Sequence, residues 1–81
     1  MTQTFNTKCP FCSAIEPRLV RVHSEIIPEC CGELPAFVET QDPDGETGLM
    51  NACFDRASAV ADWRGCVAFA AARINSIKRV A

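Results

Sequence analysis

Cysteine placement constrains this chain more than any other feature, with six cysteines in 81 residues. Two form Cys9-Pro10-Phe11-Cys12, and after a spacer of seventeen residues two more form Cys30-Cys31-Gly32. A C-x-x-C turn points two thiolates at one place, because the backbone folds back and its N–H groups stabilise the sulfurs. Tetrahedral zinc takes four such ligands at about 2.3 Å, and a second pair is expected about 15–20 residues after the first. The spacer fits, although the second pair is C-C rather than C-x-x-C, and neighbouring side chains tend to diverge.

Compartment decides how the cysteines are read. In a secreted chain an even number would suggest disulfides. The stretch Met1 to Thr7 is polar and carries no apolar core, so no secretory signal and a cytoplasmic location are expected. In a reducing compartment metal ligation is the stronger expectation. A core this small supplies only about 3–5 kcal/mol, so a structural metal would also act as a staple. Zn2+ held by Cys9, Cys12, Cys30 and Cys31 is therefore expected. His23 and Cys53, and after them Cys66, are alternative ligands if one of the adjacent sulfurs does not bind. Their plainer roles are a solvent-exposed hairpin histidine and a small buried hydrophobe, and the latter role also suits Cys66.

Length allows one domain, 1–81, with a Cys-rich β part at 1–54 and an amphipathic helix at 55–80. Charge divides at the same place: the first part is acidic, the second is basic through Arg56, Arg64, Arg73, Lys78 and Arg79, and the whole carries −2. Arg18 to Val22 alternates and is β-branched, a strand that His23-Ser24 turns back into Glu25-Ile26-Ile27 until Pro28 stops the pairing. Ala36 to Thr40 is a second expected strand. Asp42-Pro43-Asp44-Gly45 is a turn signal, with Leu49 to Phe54 expected to return beside that strand. Val60, Trp63, Val67, Ala70, Ile74 and Ile77 form one apolar stripe on a helix. Asp55 suits its N-cap, and Lys78 and Arg79 suit the dipole at its end. Gly65, costing about 1 kcal/mol inside a helix, marks a kink or a close contact. The stripe is expected to pack on the β part, with a homodimer seam as the alternative. The fold class is α+β: small zinc-ribbon-like hairpins with one long C-terminal helix.

The C-P-F-C motif also resembles the active site of glutaredoxins, which would imply thiol–disulfide exchange. That motif needs a strand before it and a helix beginning at its first cysteine, which lowers the thiol pKa. Here eight residues precede Cys9, and Glu16-Pro17 falls where the helix would gain its second turn.

Taken in order, the motifs resemble the restriction alleviation (Lar-like) zinc-ribbon proteins of phages and prophages. Cys9-Pro10-Phe11-Cys12-Ser13 matches their first knuckle, with serine in place of glycine. Pro17 to Val22 matches the strand, Cys31-Gly32 ends the second knuckle, and Pro28 stands where its first cysteine would be. Ala59-Val60-Ala61-Asp62-Trp63-Arg64 matches the helix around the tryptophan. The resemblance covers about residues 7–32 and 55–64. It implies a small phage-encoded protein that binds a host protein and counteracts a defence system in the host cytoplasm.

Function is expected to be binding rather than catalysis, since no base stands beside a nucleophile: Ser24 follows His23, and adjacent strand residues face opposite ways. Nucleic-acid binding is a weaker expectation. The pI is about 5.2, and Phe5, Phe11 and Phe37 are not interleaved with basic residues. The acidic segment Glu39 to Glu46 reads as a solvated hairpin tip or as a mimic of DNA phosphates. No apolar run reaches the ~20 residues that span a bilayer.

Overall fold

The computed structural model describes residues 8–80, so the polar stretch 1–7, with its Phe5, lies outside the described residues. The element order is β1 (Arg18–Val22), β2 (Glu25–Glu29), α1 (Glu33–Gln41) and α2 (Arg56–Val80). This is an α+β arrangement of one antiparallel hairpin with a long C-terminal helix packed across it.

The hairpin forms where the alternating pattern places it. Val22 pairs with Glu25 and Arg18 with Glu29, leaving His23-Ser24 as a two-residue turn. His23 alone carries positive φ there (58°), the pattern of a type II′ turn. Pro28 does not end the strand as expected, for it pairs with Leu19 and β2 continues to Glu29. The reason is parity: Pro28 shares the outward side with Ile26, where a missing N–H breaks no bond to β1. Ile26 gives its own N–H to the carbonyl of Cys53 at 2.8 Å. The outer edge of β2 is thereby closed to another strand.

The second hairpin is replaced by a helix. Ala36 to Thr40 lies inside α1, and Leu49 to Phe54 runs as a loop. Leu34 and Val38 are both buried while Ala36 between them is exposed, whereas a strand would put all three on one face. Pro35 sits in the first turn, where its missing N–H costs nothing. The expected turn does form after the helix, with Gly45 at φ 68° donating to the Asp42 carbonyl at 3.1 Å. The Asp42 carboxylate then accepts from the N–H groups of Glu46 and Thr47 and from the Thr47 hydroxyl, closing the acidic loop on itself.

Helix α2 starts as expected, with the Asp55 carboxylate accepting from the Ser58 N–H at 2.7 Å. Trp63, Val67 and Ala70 of the stripe are buried, and Ala59 and Cys66 join them. The stripe does not stay buried to its end: Val60 and Ile74 are half-buried, and Ile77 is 54% exposed. The body against which α2 packs stops near Ala70, and the last turns project beyond it. Gly65 marks a close contact, since a Cβ there would lie 2.8 Å from Leu49 Cδ2. Two small cores result. One joins Leu34 and Val38 of α1 to Trp63 and Val67 of α2, beneath Cys9. The other joins Ile26 of the hairpin to Cys53 and Ala59. No helix of the described residues is long and apolar enough to cross a membrane.

Candidate metal centre

The first half of the centre is a turn that the backbone closes on itself. The Cys9 N–H donates to the Ala14 carbonyl at 3.0 Å, and the Ser13 N–H donates to the Cys9 carbonyl at 2.8 Å. Ser13 carries φ 65°, the left-handed conformation that glycine adopts freely. A serine there keeps the turn at a cost in backbone strain. The same fold aims N–H groups at sulfur. Those of Phe11 and Cys12 donate to Cys9, and that of Ala14 donates to Cys12.

The second half lies between β2 and α1. Cys30 and Cys31 fall after the last strand residue and before the first helical one, so strand alternation does not drive their side chains apart. Their Sγ atoms are 3.8 Å apart. Across the site, Cys9 Sγ and Cys31 Sγ are also 3.8 Å apart.

All four Sγ atoms, of Cys9, Cys12, Cys30 and Cys31, lie within 4.8 Å of one another. A tetrahedron with metal–sulfur bonds of about 2.3 Å has sulfur–sulfur edges of about 3.8 Å. The thiols therefore approach the spacing of a tetrathiolate site, and the residues fit a divalent metal that prefers sulfur. All are free cysteines, with Cys9 buried, Cys30 and Cys31 half-buried and Cys12 exposed. The centre is sealed on the core side and open on the Cys12 side.

Electrostatics divides the four in the same sense. Burial holds the Cys9 thiol above its ordinary value despite the N–H groups aimed at it. Burial pushes Cys30 up to about 12, with the Trp63 N–H acting in the opposite direction. The Ala14 N–H draws Cys12 down. Without a cation, crowded thiols resist ionisation, and a bound metal would reverse that by taking the place of their protons. The first cysteine of a redox motif is ordinarily the ionised one, opposite to buried Cys9, and α1 begins only at Glu33.

The alternative ligands stand elsewhere. His23 is exposed at the hairpin tip, one strand length (about 17 Å) from the end that carries Cys30. Cys53 is buried in the second core and donates its S–H to the Asn51 carbonyl at 3.3 Å. Cys66 is buried beside Val67, and burial pushes it up to about 11. Both behave as small apolar side chains.

Trp63 is the neighbour that the stripe did not reveal. It is 2% exposed, and its Nε1–H donates to Cys30 Sγ at 3.3 Å. Helical spacing marked it as core, but spacing carries no information about an indole N–H. Beside it, a cavity of about 620 Å³ opens between β2, the 50–53 loop and α2. Compared with protein-family models, curated proteins and solved structures, the chain shows no significant match to any of them.

Proposed function

We propose that this chain is a small, non-enzymatic, zinc-binding accessory protein of phage type, which binds and counteracts a host protein of a defence system such as restriction. The observation that carries the metal half is the gathering of Cys9, Cys12, Cys30 and Cys31 within 4.8 Å. Zinc would be a structural staple there, since four thiolates fill its tetrahedron and leave no open position for substrate. The partner half rests on the order of motifs that resembles the restriction alleviation proteins. The acidic loop around Asp42 to Glu46, held outward by its own hydrogen bonds, offers a DNA-reading protein a run of negative charge.

Two measurements test the two halves. Native mass spectrometry of freshly purified chain should find one zinc per polypeptide, and a metal-free spectrum of folded chain would overturn the first half. Expression in a restricting bacterial host should raise the plating of unmodified phage. Unchanged plating across hosts with different restriction systems would overturn the second.

A further inference from the structure

We propose that Trp63 is a positioning residue of the metal centre, its indole N–H supplying Cys30 with the sulfur-directed donor that a second C-x-x-C turn would otherwise provide. This inference rests on the four-thiol site being a metal centre.

The two halves of the site are built differently. Cys9 and Cys12 receive backbone N–H groups from their own turn. Cys30 has no such turn, because Cys31 follows it directly and the chain enters α1 at Glu33. The non-thiol donor that reaches Cys30 Sγ is Trp63 Nε1–H at 3.3 Å, from a position 33 residues further along the chain. A buried indole N–H needs an acceptor, and its loss would be costly. Here the sulfur is that acceptor, and among the described residues no buried side-chain nitrogen or oxygen is left without a partner.

The bond has consequences for metal and fold together. An N–H directed at a thiolate withdraws charge from it and fixes which lone pair faces the ion. Partners that orient a ligand in this way typically contribute 10–100-fold to metal affinity. Trp63 is also central to the packing of α2 on α1. Occupancy of the centre and docking of the helix are thereby joined through one side chain.

The test loads the wild-type chain with ¹¹³Cd²⁺ and seeks a scalar correlation between the indole proton and the metal. The chain has one tryptophan, so the assignment is unambiguous. A correlation through sulfur is expected. Cadmium bound by four sulfurs without that correlation would overturn this inference alone, whereas no bound cadmium would overturn the metal centre as well. Trp63→Phe supplies the second arm, since it keeps an aromatic ring and removes the N–H. Zinc affinity, by competition with a chelator, should fall about 10–100-fold. The sulfur-to-metal charge-transfer band of the Co²⁺ form should move to lower energy. A band at the wild-type position, whatever the affinity, would mean that Trp63 only packs.

Discussion

The Sγ atoms of Cys9 and Cys31 lie 3.8 Å apart although 22 positions separate them in the chain. That contact ties the N-terminal turn to the start of α1, and Cys9 itself is a member of the larger core. The four-thiol cluster and the packing of the two helices are one structure.

If zinc fills the four-thiol site as proposed, its removal should unfold the domain rather than expose a site within a folded one. Binding energy at such centres is folding energy. Cys9→Ser and Cys12→Ser should each abolish stoichiometric zinc, and Cys9→Ser should be the worse folded because its side chain is also buried. Calorimetry with and without a chelator checks this. A cooperative melt retained by both variants would overturn it.

Position along α2 should grade the cost of truncation. Trp63 is 2% exposed and Ile77 is 54% exposed, though both lie on the same stripe. Trp63→Ala should cost about 3–5 kcal/mol, and Ile77→Ala should fall within about 0.5 kcal/mol. Urea melts of both variants give the comparison. A large loss at Ile77 that depends on protein concentration would instead place a second copy of the chain on the helix end.

The parts legible from sequence are those where one local rule acted unopposed. The strand Arg18 to Val22, the His23-Ser24 turn, the Asp55 cap and the C-x-x-C turn each follow from side chains within a few residues. Ala36 to Thr40 was not legible, because Leu34, Ala36 and Val38 alternate with a period of 2 while Leu34 and Val38 fit a period of 3.6 as well. The burial of Leu34 and Val38 against α2 chose the helix. Pro28 misled because its effect depends on which edge it faces. Of the metal centre, the four cysteines were legible from spacing. The seat of Cys30 was not, since its donor comes from Trp63 on another element.

Alkaline pH should destabilise the fold through Cys66. Its thiol is raised from an ordinary 9.0 to about 11, first by burial and then by the charge of Asp62. A raised value means that the folded state keeps a proton which the unfolded chain releases. The stabilisation is fully present below pH 9 and is lost as pH climbs toward 11, a change of roughly 2–3 kcal/mol. Cys66→Ala should start less stable at pH 8 and lose less between pH 8 and 10.5. Urea melts at the two pH values measure both, and equal losses in the two proteins would assign the effect elsewhere.

Gly65 sets two effects of opposite sign against each other. Alanine is favoured over glycine inside a helix by about 1 kcal/mol. A Cβ at this position would meet Leu49 Cδ2 at 2.8 Å, however, so the leucine must move. That Cδ2 is the far end of a half-buried side chain, and the Leu49 loop is pinned to the same helix by the Met50 N–H, which donates to Asp62 at 2.8 Å. Gly65→Ala in the wild-type chain should therefore gain less than the helix preference alone, or lose stability. In a Leu49→Ala background the same change should gain close to the full amount. The coupling energy of that double-mutant cycle should be at least about 0.5 kcal/mol. Additive effects would mean that glycine stands at 65 for a reason other than the approach of Leu49.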